Sequence, residues 1–145
     1  YYDRLKGLVS QKRMPEAVKL FSGLKHKGIK PDARAFNALL KGFCDGGHLE
    51  EVKRWYMELT KNISPNRNTF ALLVPFACEV GDFGWGFRLC QEAIMGRFIL
   101  DAGTLQRLFD GLVNKSMLEE AKKLVELIHQ SDVYSSCELK WPLGE

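Results

Sequence analysis

Phe36-Asn37-Ala38-Leu39-Leu40-Lys41-Gly42-Phe43-Cys44-Asp45-Gly46-Gly47-His48-Leu49-Glu50-Glu51-Val52-Lys53-Arg54-Trp55-Tyr56-Met57-Glu58-Leu59 is the stretch that decides the fold. Phe36, Leu39, Leu40 and Phe43 are spaced i, i+3, i+4, i+7, which puts them on one face of a helix. Asp45-Gly46-Gly47 breaks the pattern, because glycine takes the left-handed conformation that often ends a helix. A second stripe follows at Leu49, Val52, Trp55, Tyr56 and Leu59. It stops before Ile63-Ser64-Pro65-Asn66, a proline-bearing turn whose Asn66 suits the N-cap of the next helix. The expected unit is two amphipathic helices joined by a tight turn.

That unit recurs along the chain. Tyr1, Phe36, Phe70 and Leu105 lie 35, 34 and 35 residues apart. The same offsets link Met14, Leu49, Phe83 and Leu118; Ala17, Val52, Gly86 and Ala121; Leu20, Trp55, Leu89 and Leu124; and Leu24, Leu59, Ala93 and Ile128. Five apolar or small columns in one register specify a repeat. In the first unit a helix runs to about Val9, and Pro15 takes the first position of the second helix, where its missing N–H is harmless. The fourth unit runs from Asp101 to Asn114 and from Met117 to Gln130. A helix pair this small cannot bury its apolar face alone, so stacking is expected to give an all-α solenoid without sheet. Leu20, Leu24, Leu49, Val52, Leu89, Leu118 and Leu124 are its expected core. The third unit differs: Pro75 falls mid-helix, where it removes a backbone bond and should kink it, and Gly84 and Gly86 alternate with Phe83, Trp85 and Phe87. Either an aromatic docking face or close helix packing explains the last feature.

Composition excludes much else. With 46% hydrophobic and 27% charged residues, 145 residues suit one globular domain. No apolar run approaches the ~20 residues of a membrane helix, so no membrane partner is expected. Cys44, Cys78, Cys90 and Cys137 form no CxxC pair, and His26, His48 and His129 form no HExxH. Reduced intracellular thiols, no metal, no cofactor and no catalytic residue are expected. Glu50-Glu51 and Glu119-Glu120 open their helices, where the dipole favours carboxylates, so they read as caps rather than as general acids. Nothing resembles a signal or transit peptide, and a start at Tyr1 is expected to reflect a longer precursor. The net charge of +3 is uneven. Residues 1–32 hold eight Lys/Arg against three acids, a balance of +5, which leaves −2 for the rest. A polyanionic partner should be felt most at that end.

The motifs resemble those of the pentatricopeptide repeat family. Phe36-Asn37-Ala38-Leu39-Leu40-Lys41-Gly42-Phe43-Cys44 is similar to that family's first-helix signature, and Leu49 to Leu59 and Leu118-Glu119-Glu120-Ala121-Lys122-Lys123-Leu124 to its second. Gly28-Ile29-Lys30-Pro31-Asp32 resembles its closing turn. Four plain-type motifs are placed at 1–32 (truncated), 33–66, 67–101 and 102–131, followed by a tail at 132–145 that is expected to fray or to hook a partner through Trp141-Pro142. The resemblance implies a right-handed α-solenoid with first helices on the concave side, in mitochondria or alternatively plastids.

It also implies RNA as partner, one repeat reading one base through the fifth and last residues of a motif. Those pairs are Tyr2 with Asp32, Asn37 with Asn66, and Ala71 with Asp101, with Gln106 alone in the fourth motif. Only Asn37 with Asn66 has the short polar form that the resemblance links to a pyrimidine. At the second motif position, usually aliphatic, stand Arg34, Asn68 and Gly103; near the end of the first helix, usually lysine, stand Ser10, Asp45, Glu79 and Asn114. Lys6 and Lys41 remain on the groove side. Two readings follow. In one, the chain is a structural component of the plant mitochondrial ribosome, as short plain-type members of the family are; the third motif and the Leu124-Val125-Glu126-Leu127-Ile128-His129-Gln130 ending look similar to that group. It would hold rRNA phosphates through Lys12, Arg13, Lys19, Lys25, Lys27 and Lys30, outside the reading groove, and ribosomal proteins elsewhere. In the other, it binds single-stranded organellar transcripts for processing, stability or translation, threaded past Lys6, Asn37, Lys41 and Asn66.

Overall fold

The computed structural model describes residues 1–131; the expectations for the tail at 132–145 lie outside them. Among the described residues there are eight α-helices and no strand: α1 Tyr2–Ser10, α2 Met14–His26, α3 Ala33–Asp45, α4 Leu49–Asn62, α5 Arg67–Val80, α6 Phe83–Met95, α7 Ala102–Asn114 and α8 Leu118–Gln130. They form four consecutive pairs whose bounds follow the expected frame. Asp32 caps α3 by accepting the Ala35 N–H at 3.1 Å, and Asp82 caps α6 by accepting the Trp85 N–H at 3.2 Å. Pro15 sits one place later than expected, second in α2, still inside the first turn where its N–H is not needed. α5 runs unbroken through Pro75, and the Ala71 carbonyl that loses its amide partner belongs to an exposed residue.

The first helix of each pair ends the same way. Lys12, Gly47, Gly81 and Ser116 have φ of 61°, 73°, 82° and 59°. The next amide reaches back five residues: Arg13 to the Leu8 carbonyl, His48 to Phe43, Asp82 to Ala77 and Met117 to Leu112. This double-bonded, left-handed cap satisfies carbonyls that the helix end leaves open. Its spacing of 35, 34 and 35 residues repeats the period of the apolar columns.

The chain divides into two compact units, residues 1–72 and the residues from Leu73 onward. In the first, α1 packs on α2 and α3, α2 on α3, and α3 on α4. Leu5, Ala17, Phe36, Leu39, Leu40, Val52 and Leu59 are all buried, and Phe21 meets Phe36 and Trp55 edge-on at 4.8 and 5.3 Å. Trp55 and Tyr56 are core residues. In the second, α6, α7 and α8 pack on one another around Leu89, Leu105, Leu108, Phe109, Leu124 and Ile128.

Leu24, Val52, Leu89 and Leu124 are buried as expected, but Leu20 and Leu49 are half-buried and Leu118 is 47% exposed. The reason for Leu49 and Leu118 is positional. Met14, Leu49, Phe83 and Leu118 are the first residues of α2, α4, α6 and α8, at the edge of each pair rather than inside it. Met14 and Phe83 find cover on the next first helix. A Cβ on Gly42 would overlap the Met14 thioether, and one on Gly111 would overlap the Phe83 ring. The described residues contain no following first helix to receive Leu118. In the third motif, a Cβ on Gly86 would lie 3.1 Å from Leu108 and 3.3 Å from Ala77, so this glycine serves close packing; Phe87 is buried, whereas Phe83 and Trp85 are half-buried.

Gly111→Ala is expected to lower the unfolding free energy by about 1–3 kcal/mol, since a rigid ring fills the place of the new methyl. Phe83→Leu in the same chain should recover part of that loss. Urea denaturation of both variants checks it; a neutral Gly111→Ala would remove the packing role given to the glycine.

Candidate functional site

A cleft of about 520 Å³ opens on the first unit. α1 supplies Tyr2, Lys6, Val9 and Ser10, and the following turn supplies Lys12. α3 supplies Arg34, Asn37, Ala38 and Lys41, and the start of α5 supplies Asn68 and Leu72. Tyr2 and Lys6, like Asn37 and Lys41, are one helical turn apart, so each first helix shows the same two positions to the cleft. The structure thus brings together Tyr2, Lys6, Asn37 and Lys41.

The expected outer cations do not form one patch. Lys12, expected outside the groove, lines the cleft, because its left-handed turn directs it to the side of Tyr2 and Lys6. Arg13, Lys19 and Lys27 border a separate depression with Arg4, between α1 and α2. Lys25 lies beside Arg54, Trp55 and Glu58, between α2 and α4. Lys30 is exposed on the turn before α3. Arg13 is already engaged: its Nε donates to Glu16 Oε1 at 2.9 Å and its Nη2 to Oε2, and these bonds hold the Glu16 carboxyl below its ordinary range. Residues 1–72 carry fourteen Lys/Arg against seven Asp/Glu, a net +7, while residues 73–145 carry seven against eleven, a net −4.

The two pairs of this unit that the sequence singles out, Tyr2 with Asp32 and Asn37 with Asn66, differ in kind. Asp32 is half-buried and occupied as a cap, and its Oδ2 lies 3.3 Å from Arg34 Nε. The Arg34 guanidinium in turn lies 4.7 Å from the Tyr2 ring centroid. The cation at the usually aliphatic position therefore ties Asp32 to Tyr2. Asn37 and Asn66 instead meet directly: Asn37 Nδ2 donates to Asn66 Oδ1 at 3.1 Å. Thr69, fully buried, closes the group by donating its hydroxyl to Asn37 Oδ1 at 2.8 Å. Asn66 caps α5 as expected: its Oδ1 accepts the Thr69 N–H at 3.1 Å, and the Asn66 N–H donates to Thr69 Oγ1 at 3.2 Å. Thr69 escaped sequence reasoning, although the Asn-x-x-Thr spacing 66–69 is the signal of a reciprocal cap. In the fourth motif Gln106 donates to Asp110 at 2.8 Å.

No group of three His, Cys, Asp or Glu among the described residues could hold a metal ion. Cys78 and Cys90 are buried, and burial pushes the Cys90 thiol up to about 12, away from the thiolate a nucleophile needs. No described helix is long and apolar enough to cross a membrane.

A family model described as "PPR repeat family" matches residues 5–45, and one described as "PPR repeat" matches residues 34–62. The chain is 32% identical over 121 residues to small ribosomal subunit protein mL103 (rPPR7) of Arabidopsis thaliana, covering 82% of this chain and 29% of that protein. It is 30% identical over 118 residues to the mitochondrial pentatricopeptide repeat-containing protein At2g18520 of the same plant, covering 81% and 28%. It thus spans under a third of the length of these curated relatives. The crystal structure of the pentatricopeptide repeat protein PPR10 from maize superposes with a TM-score of 0.72 at 18% identity, over 93% of this chain and 19% of that one. That likeness shows a common helical-repeat fold.

Asn37→Ala is expected to lower the unfolding free energy by about 1 kcal/mol, because it strips the buried Thr69 hydroxyl of its nearest acceptor. Thermal or urea unfolding, compared with Gln106→Ala in the half-buried Gln106–Asp110 pair, checks this. A loss no larger than that of Gln106→Ala would show that the network carries no stability.

Proposed function

The chain belongs to the pentatricopeptide repeat family, and on that premise we propose that it is a non-catalytic, RNA-associated protein, a structural component of the plant mitochondrial ribosome that contacts rRNA and ribosomal proteins. The observation that carries this reading is the distribution of charge. The net +7 of the first unit is spread over the cleft, the α1–α2 depression, the α2–α4 side and the turn before α3. A single strand threaded through one groove needs cations along that groove alone. Folded rRNA, which meets a protein from several sides, is matched by cations on several faces. The likeness to a small ribosomal subunit protein supports the same reading. The word mitochondrial in the name of a second relative supports the location.

A transcript-binding role is the second reading. It is favoured by the cleft, which gathers Tyr2, Lys6, Lys12, Asn37 and Lys41 in one place. The two readings part on which residues matter.

Sedimentation of tagged protein from organelle extract, with and without RNase, tests the choice. On the ribosomal reading the protein travels with a ribosomal subunit. Replacing Lys19, Lys25, Lys27 and Lys30 by Gln should then release it, while Asn37→Ala should not. For the isolated protein on rRNA fragments, the same four changes should flatten the slope of log affinity against log salt by about 3, given roughly 0.7 per single-strand phosphate contact. Release by Asn37→Ala, with the quadruple variant still bound, would overturn the ribosomal reading in favour of the transcript reading.

A further inference from the structure

We propose that the recess between α2 and α4 is a protein-docking site that takes an acidic residue beside an apolar one, with the Trp55 indole N–H as a donor to the carboxylate. The starting point is an orphaned group. Trp55 is 8% exposed, and its Nε1 is shut off from water with no hydrogen-bond partner among the described residues. A buried indole N–H normally finds an acceptor, because an unpaired donor away from water keeps the full cost of its desolvation. Phe21, which meets the indole edge-on at 5.3 Å, has no lone pair to offer. With Phe21 and Phe36, Trp55 forms the apolar wall of a cavity of about 380 Å³.

The polar lining defines what the occupant must offer. Ser22 and Lys25 lie one turn apart on α2, and neither the hydroxyl nor the ammonium has a partner among the described residues. On α4, Arg54 lies over the Trp55 ring at 5.6 Å from its centroid and reaches Glu51 at 3.4 Å. That ion pair is exposed and weak, so the guanidinium can move aside for an arriving acceptor. These donors, two of them cationic, match a carboxylate. Glu58, one turn beyond Arg54 and 3.5 Å from Lys61, supplies the opposite chemistry. It can accept a main-chain N–H of the same segment, whereas it repels a phosphate, which has no N–H to give. The rings also disfavour a nucleobase. Phe21 stands edge-on to Phe36 and Trp55, at 68° and 82°, and Arg54 lies over the Trp55 ring. No pair of parallel faces leaves a slot for stacking, whereas ring edges accommodate an aliphatic side chain. The recess is separate from the cleft that holds Asn37 and Lys41. Of the cations given to rRNA above, it takes Lys25 alone for a protein partner, and it stands whether or not that partner is ribosomal.

The experiment follows the indole N–H signals of the full 145-residue chain by NMR. The chain has three tryptophans, so Trp85→Phe and Trp141→Phe assign the Trp55 signal by elimination. Three probes are titrated separately: the blocked tetrapeptide acetyl-Ala-Leu-Glu-Ala-amide, its counterpart with Gln for Glu, and uridine 5′-monophosphate. The Glu peptide should move the Trp55 signal downfield, as a new acceptor does. The Gln peptide should bind about tenfold more weakly, since a charged acceptor makes the stronger bond. Lys25→Gln should weaken the Glu peptide by about threefold, within the range of an exposed ion pair. Trp55→Phe, followed by the Ser22 backbone amide, should weaken it by about tenfold, the low end for a hydrogen bond to a charged group. Where Trp55→Phe does not fold, Lys25→Gln and the wild-type indole shift decide. Equal binding of the Glu and Gln peptides would overturn the carboxylate assignment. A Trp55 signal moved as strongly by the mononucleotide as by the Glu peptide would overturn the protein partner. A signal that no probe moves would overturn the site.

Discussion

In each unit a large side chain meets a missing one, and the spacing of the helix pairs depends on it. Met14 opens α2 and occupies the space beside Gly42 of α3; Phe83 opens α6 and does the same at Gly111 of α7. Because the glycine has no side chain, the next first helix comes close enough to bury most of its circumference. α3 accordingly buries Ala35, Phe36, Leu39, Leu40, Gly42 and Phe43, whereas α2 buries only Ala17, Phe21 and Leu24. Close approach multiplies the small dispersion contacts that hold the stack. The two knobs differ in compliance: a thioether can swing aside, and a ring cannot.

The cleft inherits its geometry from this packing. The same helix that seats Leu39, Leu40 and Phe43 in the core turns Asn37 and Lys41 to the cleft, and α1 does likewise with Leu5 against Tyr2 and Lys6. Thr69 joins the two roles: it is a buried polar side chain and also the partner of both asparagines. A polar group that far from water holds its partners firmly, since each lost bond leaves an unpaired atom in a poor solvent. In the second motif the side chain that faces the cleft and the network that holds the fold are therefore not separable. In the first motif they are looser, because Tyr2, Arg34 and Asp32 meet at the surface, where ion pairs contribute little.

The pair frame was legible because its punctuation is chemical. Asp45-Gly46-Gly47 and Pro65-Asn66 each set a boundary that no tertiary contact needs to supply, and α4 and α5 begin where they predict. The column through Met14, Leu49, Phe83 and Leu118 misled for a definable reason. Regular spacing shows that a position faces a neighbour, but only three dimensions show whether a neighbour is present, and among the described residues no first helix follows Leu118. Lys12 was misplaced because helical periodicity says nothing about where a turn residue points once φ becomes positive. The Asn37–Asn66 pair, whose two amides the structure shows to meet, was singled out by likeness to a family. Its third member was not, since a threonine two places past an arginine carries no periodic signal, and its importance lies in bonds that span 32 residues to Asn37.

Lys12 carries a consequence for how this chain can change. It sits where Gly47 and Gly81 sit in the neighbouring pairs, on backbone that an L side chain adopts only under strain, and it is one of the cations lining the cleft. Glycine there would relax the turn and delete the charge in a single step. Selection for heat resistance and selection for the cleft thus pull this codon in opposite directions. A library ranked by thermal survival alone would drift toward an uncharged turn, whereas one ranked by the charge of the cleft would hold the lysine and tolerate the looser fold.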